Sequence, residues 1–244
     1  FAVAKLVLLV PAGLWFASGR GMTIYATWVF GIVISLIALM ALVNRKLKIH
    51  RPQFGLLRRM GRAAFEHHAL NLALQAPILA LPIVVTVTLS ATAAAFFYTT
   101  WMVASLVFFG PYSLTLALYA VGSGDPSLLR HKIRFTLRLA GAIGLVATLF
   151  VMLGANQILG LFGTTYAEQG TACLRILILG VWPLIIKDHY VAVSRIEGKV
   201  AAATLLVAAG AVMELALATL GAVFGGLVGL TIGWVLALCI EGAL

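Results

Sequence analysis

Long, continuous runs of apolar residues constrain this chain more than any other feature. Hydrophobic residues make up 63% of the sequence and charged residues only 10%, whereas ordinary globular proteins contain about 25% charged residues. A helix that crosses the roughly 30 Å core of a bilayer needs about 20 apolar residues. The runs are continuous and do not alternate with polar residues, so they predict helices and not the strands of a barrel. The expected fold class is therefore all-α, a bundle of transmembrane helices.

Polar, glycine and proline residues divide the apolar runs into about eight predicted spans. These cover residues 1–17, 22–43, 68–89, 93–121, 136–154, 171–194, 200–220 and 222–244. We expect three parts: the last two spans of a first lobe in residues 1–43, a linker in residues 44–66, and a second lobe of six spans in residues 67–244. Because the chain starts with Phe1 inside an apolar run, we interpret it as a fragment.

Positive charge is concentrated in alternate connections between the predicted spans. The basic connections are residues 44–66, the segment from Arg130 to Arg138, and the turn that contains Arg195 and Lys199. The connections between them hold little positive charge. By the positive-inside rule the basic loops are cytoplasmic. The pattern predicts a multi-pass protein of the bacterial inner membrane, with no nucleic-acid partner despite a formal net charge of +10.

Residues 44–66 combine basic residues with apolar residues at helical spacing. Phe54, Leu57, Met60 and Ala64 recur on one face, and Arg58, Arg59 and Arg62 take the others. This pattern predicts a short amphipathic helix that contacts anionic lipid on the cytoplasmic leaflet. The alternative is an ordinary solvated basic loop. In either case, six spans after a long linker are typical of one lobe of a two-lobed transporter.

No catalytic, nucleotide-binding or metal-binding signature occurs in the sequence. The patterns GxxxxGK[ST], GxSxG and HExxH are missing, and Cys and His residues do not cluster. The adjacent His67 and His68 would point about 100° apart on a helix, which makes a poor metal pair. We therefore expect no enzyme activity, no cofactor and no metal site.

Polar residues inside the spans are the remaining candidates for function, because such residues are costly in lipid and tend to face a cavity or a partner. His68, Asn71 and Gln75 share one helix face. Tyrosines supply hydroxyl groups, and Arg175 and Lys187 supply cationic groups. The residues that we expect to line a substrate cavity are His68, Asn71, Gln75, Tyr98, Tyr112, Arg175 and Lys187. The alternative roles are helix-to-helix hydrogen bonds, packing and anchoring at the membrane interface.

Three intramembrane charges, Arg175, Asp188 and Glu214, suggest an ion pair or a coupling site. Arg175 and Glu214 fall at the same predicted depth, so they form a candidate ion pair or protonation switch. A static structural pair or a snorkelling arginine is the alternative. Asp188 could pair with Arg195 only if the helix bends between them.

Several segments resemble one transporter family. The stretch Ile158-Leu-Gly-Leu-Phe-Gly-Thr-Thr-Tyr166, followed by Trp182-Pro183, resembles the polysaccharide flippases of the multidrug/oligosaccharidyl-lipid/polysaccharide exporter superfamily. The turn Ile196-Glu-Gly-Lys199 is similar to the family's basic turn between its tenth and eleventh spans. The segment from Gly226 to Gly233 is similar to its glycine-rich final span. On this alignment the chain runs from the fifth to the twelfth span of a fold with twelve to fourteen spans.

The resemblance implies a flippase for surface-polysaccharide biosynthesis. Such a protein moves an undecaprenyl-diphosphate-linked oligosaccharide from the cytoplasmic to the periplasmic leaflet by alternating access, coupled to a Na⁺ or H⁺ gradient. Arg175 and Lys187 would be the cations of this lobe that hold the substrate. The alternatives are a cation-coupled drug or metabolite exporter of the same superfamily and a membrane-embedded polysaccharide polymerase. A cation-lined cavity would favour the flippase, and an acidic, apolar cavity the drug exporter.

Overall fold

The computed structural model describes residues 20–43, 54–122 and 129–243, which are helical apart from short turns. Its helices are α1 (Arg20–Val43), α2 (Phe54–Thr88), α3 (Ala91–Gly122), α4 (Leu129–Gly160), α5 (Thr164–Leu179), α6 (Val181–Ile196) and α7 (Val200–Ala243). The expected all-α class is confirmed. The predicted span over residues 1–17 and residues 44–53 of the predicted linker lie outside the described part of the chain.

Two units make up the chain, Phe1–Leu57 and Arg58–Leu244. The first contains α1, whose apolar part, Ala26–Leu42, exposes most of its large side chains. The second contains α3 to α7 and nearly all of α2. Within it, α3 packs against α4, α5 and α6, while α7 packs against α5 and α6.

Among the described residues, four helices are long and apolar enough to cross a bilayer: α2, α3, α4 and α7. The shorter helices α5 and α6 meet at Gly180 with a bend of 41° and together form a fifth candidate span. A multi-pass membrane protein is therefore confirmed. The predicted span over residues 171–194 corresponds to this bent pair and not to one straight helix.

Helix α7 is a hairpin and not a single rod. Its 44 residues would extend about 66 Å, roughly twice the thickness of the bilayer core. The backbone leaves helical geometry at Gly225 and at Gly226, where φ is +59°. A Cβ atom on Gly221 would overlap the carbonyl group of Gly229, and one on Gly233 would overlap that of Leu217. The two arms therefore run antiparallel in backbone contact, as the two spans predicted from residue 200 onward require, with the turn a few residues later than expected.

The amphipathic segment expected in the linker is not a separate helix. It is the beginning of α2, which continues without interruption from Phe54 to Thr88. Pro77 and Pro82 both lie inside this continuous helix. When the hairpin arms are counted separately, the described residues of the second unit contain six candidate spans.

Candidate functional site

A cavity of about 530 Å³ lies inside the second unit between α2, α3, α6 and α7. This volume is within the roughly 300–1,000 Å³ that is usual for small-molecule sites. Helix α2 contributes Asn71 and Gln75, one helical turn apart on the same face. Helix α6 contributes Lys187 and Asp188, and the first arm of α7 contributes Glu214.

Aromatic side chains form much of the cavity wall. On α3 the lining residues recur every three or four positions, because those positions share one face of a helix. They are Trp101, Ser105, Phe108, Phe109 and Tyr112. The second arm of α7 adds Trp234, whose ring meets that of Trp101 edge to face with centroids 4.9 Å apart.

Seven residues were predicted to line a substrate cavity, and four of them line the cavity found here: Asn71, Gln75, Tyr112 and Lys187. His68, Tyr98 and Arg175 are not among the lining residues. Tyr98 is 62% exposed, on the outward side of α3. The structure thus brings the α2 amides together with the α3 aromatics, and it leaves the cation of Arg175 outside.

Lys187 joins α6 to both arms of the α7 hairpin. Its ammonium lies 2.6 Å from Glu214 Oε1 and 2.7 Å from Glu241 Oε2. The three side chains are only 9%, 3% and 11% exposed. Trp234 Nε1 donates a hydrogen bond of 2.6 Å to the other oxygen of Glu214. We call Lys187, Glu214, Glu241 and Trp234 the ion cluster.

The ion cluster contains two carboxylates and one ammonium. Glu241 fits beside the first arm because Gly210 has no side chain, since a Cβ atom there would overlap the carboxylate. Its Oε1 atom is buried and has no hydrogen-bond partner. Buried charges are stable only when they are paired and fully hydrogen-bonded, so the second carboxylate is incompletely balanced.

The predicted ion pair between Arg175 and Glu214 is wrong. Arg175 extends from α5 towards α4, where its Nε donates to the carbonyl oxygen of Met152 at 3.1 Å. Glu214 is bonded by Lys187 and Trp234. Equal predicted depth in the membrane did not identify the partner of Glu214. The cation that contacts Glu214 is Lys187 of α6 and not Arg175 of α5.

The predicted pair between Asp188 and Arg195 is not formed either. Arg195 Nη2 donates to Asn71 Oδ1 at 2.7 Å, since α6 continues as a helix to Ile196 and its last turn lies beside α2. Asp188 lines the cavity, and none of the ion pairs in the described residues includes it.

Sequence reasoning missed Glu241, Trp101 and Trp234. One signal for Trp234 was available, because it directly follows the glycine-rich segment that ends at Gly233. Gly180 makes room for the Trp234 ring at the bend between α5 and α6, where a Cβ atom would overlap it. Within the described ranges, no group of three or more His, Cys, Asp or Glu side chains could hold a metal ion.

Comparison with solved structures identifies the architecture. The chain matches a crystal structure of a MATE in complex with MaL6 at a TM-score of 0.76 and 20% identity, over 98% of this chain and 58% of that one. It matches an outward-facing multidrug resistance MATE family transporter of the MOP superfamily at a TM-score of 0.73 and 21% identity, over 98% and 57%.

A crystal structure of a MATE point mutant matches at a TM-score of 0.74 and 20% identity, over 98% of this chain and 57% of that one. No protein-family model and no curated protein matches the sequence. The chain spans a little over half the length of the solved structures that it matches. It has the fold of one part of a MATE transporter of the MOP superfamily.

Proposed function

We propose that this chain is part of a transporter that moves a lipid-linked oligosaccharide across the inner membrane by alternating access, in surface-polysaccharide biosynthesis. The observation that supports this proposal is the lining of the cavity. Asn71, Gln75, Ser105 and Tyr112 offer amide and hydroxyl groups beside aromatic rings. Sugar hydroxyl groups need such partners, because transfer of a polar group into hydrocarbon without them is costly.

The charge of the cavity restricts where a diphosphate could bind. The resemblance implied that Arg175 and Lys187 hold this group. Arg175 is outside the cavity, and the ammonium of Lys187 is bound by two carboxylates. The described wall therefore suits the uncharged sugars, and the diphosphate requires another cation.

A second candidate is the export of an organic cation. Asp188 and Glu214 place carboxylates in a wall that also contains Trp101, Phe108 and Tyr112. A carboxylate beside aromatic faces favours cations through charge and cation–π attraction. This acidic, aromatic wall is the feature expected of a drug exporter.

The proposed transporter also includes a contact with anionic lipid near the start of α2. Met60 and Phe65 are 60% and 72% exposed. Arg62, 88% exposed, pairs with Glu66 at 3.0 Å on the same helix. Exposed apolar and basic side chains on one helix favour the headgroup region of an anionic leaflet. The basic loops would then be cytoplasmic.

The coupling ion is proposed to act at the ion cluster. The cluster has one carboxylate more than it has ammonium groups, so uptake of one H⁺ or Na⁺ would balance it. Because Lys187 contacts both arms of α7, a change of charge there would alter how α6 is held against the hairpin.

A gene deletion distinguishes the two candidate functions. We expect cells that lack the full-length gene to accumulate lipid-linked glycan in the cytoplasmic leaflet and to lose surface polysaccharide. An unchanged surface glycan together with raised sensitivity to cationic drugs would reject the flippase proposal and favour organic-cation export.

Two tyrosines on α3 provide a matched test of the cavity. Tyr112→Ala alters the cavity wall, whereas Tyr98→Ala alters the exposed face of the same helix. In the deletion strain we expect Tyr112→Ala to restore about tenfold less surface glycan than the wild-type protein does. The variant would lose one hydrogen bond and one ring contact to the substrate. Tyr98→Ala should restore the wild-type level, and equal restoration by both variants would show that this cavity does not hold the substrate.

A further inference from the structure

Arg195 carries a guanidinium group that the structure leaves incompletely bonded. It lies in the last turn of α6, and its Nη2 atom donates to Asn71 Oδ1 at 2.7 Å. Its Nε atom is buried and has no hydrogen-bond partner. A buried donor without an acceptor is rare in folded proteins, and here the donor belongs to a group that is always charged.

Neighbouring charges do not neutralise Arg195. Glu197, two residues further along, pairs with Lys199 at 2.7 Å, and this hydrogen bond raises the pKa of Lys199. Among the described residues, no carboxylate lies within ion-pair distance of Arg195. Its positive charge is therefore unpaired, in contrast to that of Lys187.

The Nε donor of Arg195, which has no acceptor, lies on a specific edge of the guanidinium. Nε and Nη2 lie on the same edge of the planar guanidinium, and this edge can form two parallel hydrogen bonds to a phosphate or a carboxylate. Asn71 accepts a hydrogen bond from the Nη2 end of the edge, and the buried Nε end has no acceptor. Because Asn71 also lines the cavity, an anion at this edge would adjoin a ligand in the cavity.

We propose that Arg195 forms a phosphate-binding subsite at the end of the cavity and that Asn71 positions its guanidinium. This inference rests on the proposed transport of a lipid-linked oligosaccharide. The sugars would occupy the cavity, and the diphosphate would bind Arg195 at the end of α6 that the basic turn predicts to be cytoplasmic. The end of a span is expected near the level of the leaflet surface, where the phosphates of a lipid carrier lie.

Binding to the full-length protein in nanodiscs of zwitterionic lipid tests the subsite. The probes are radiolabelled undecaprenyl diphosphate, undecaprenol and inorganic diphosphate. We expect Arg195→Met to weaken undecaprenyl diphosphate binding about 10- to 100-fold, the effect of a hydrogen bond to a charged group. Undecaprenol binding should not change. Arg195→Lys keeps the charge but removes the two-bond edge, so it should recover only part of the affinity.

Arg175→Met is the matched control, because Arg175 is exposed and lies outside the cavity. It should leave the affinity for undecaprenyl diphosphate unchanged. If Arg195→Met fails to fold, Arg195→Lys supplies the comparison, with its melting temperature measured in the same nanodiscs.

The outcomes separate this inference from the proposed function. If wild-type protein prefers undecaprenyl diphosphate to undecaprenol and the Arg195 variants bind it equally well, the subsite is rejected and the proposed function stands. If inorganic diphosphate binds as tightly as the lipid and depends on Arg195, the phosphate site is supported with a soluble ligand as its source. If the wild-type protein binds none of the phosphate probes but binds tetraphenylphosphonium, both the subsite and the flippase proposal are rejected.

Discussion

Removal of the Lys187 ammonium should destabilise this protein strongly. In Lys187→Met the side chain keeps nearly the same length, so packing changes little while the charge is lost. Glu214 and Glu241 would then lie close together without the cation that holds them at 2.6 and 2.7 Å. Loss of one partner from a buried ion pair costs about 3–5 kcal/mol, and the 3% exposure of Glu214 places this site in that class.

Loss of the second carboxylate should have a much smaller effect. In Glu241→Gln the amide oxygen can still accept a hydrogen bond from Lys187, and Glu214 still balances the ammonium. The change also removes the excess negative charge in the ion cluster. We therefore expect the free energy of unfolding to change by less than about 1 kcal/mol, because a buried ionic group can be replaced at little cost when no charge is left unpaired.

Thermal unfolding of the 244-residue chain in detergent measures the difference. A change of 1 kcal/mol shifts the melting temperature of a 150–250-residue protein by about 2–4 °C, so Lys187→Met should lower it by roughly 6–20 °C. Lys199→Met is the matched control, because its ammonium pairs with Glu197 on an exposed turn. The control should melt at the wild-type temperature.

Two results would refute this reasoning. The first is a Lys187→Met protein that melts within 2 °C of the wild type, since roughly 3 kcal/mol is the least that the buried geometry predicts. The second is a Glu241→Gln protein that is destabilised as much as the Lys187→Met protein. The Glu241 carboxylate would then contribute more than charge balance.

Other predictions concern the hairpin and its link to the cavity. Gly229→Leu should abolish accumulation of the protein in the membrane, seen by immunoblot, because its side chain would overlap the backbone of Gly221; Gly141→Leu has open space and should accumulate normally. Trp234→Phe removes the donor to Glu214 and should reduce stability by about 1–3 kcal/mol in the same melting assay. Glu214→Gln should reduce transport while membrane insertion stays intact, and wild-type transport by this variant would limit Glu214 to a structural role.

Much of the fold follows from the sequence, because bilayer thickness sets helix length and glycine marks turns. The apolar runs predicted the helices. The break between two runs at Gly221 predicted two spans in the segment that forms α7. The bend at Gly180 could not be predicted from composition. At this bend Gly180 contacts the ring of Trp234, which comes from a distant part of the chain.

The candidate site was harder to predict, because its contacts join different helices. The spacing of Asn71 and Gln75 placed both in the cavity, since residues one helical turn apart share a face. The partner of Glu214 depended on how α6 rotates towards α7, and the sequence does not specify that rotation. Glu241 escaped notice because it lies near the end of the chain, and only the hairpin turn brings it beside Gly210.

The polar links around the cavity differ in strength. Lys187 connects α6 to both arms of α7 through buried ion pairs. Helix α2 is joined to α6 by the bond from Arg195 to Asn71, and to α7 by a 3.5 Å contact from Thr204 to the Glu66 carbonyl oxygen. Neither of these two polar links is an ion pair, so each costs less to break than the buried ion pairs of Lys187. Apolar packing of Leu70 against α6 and α7 adds to the attachment of α2.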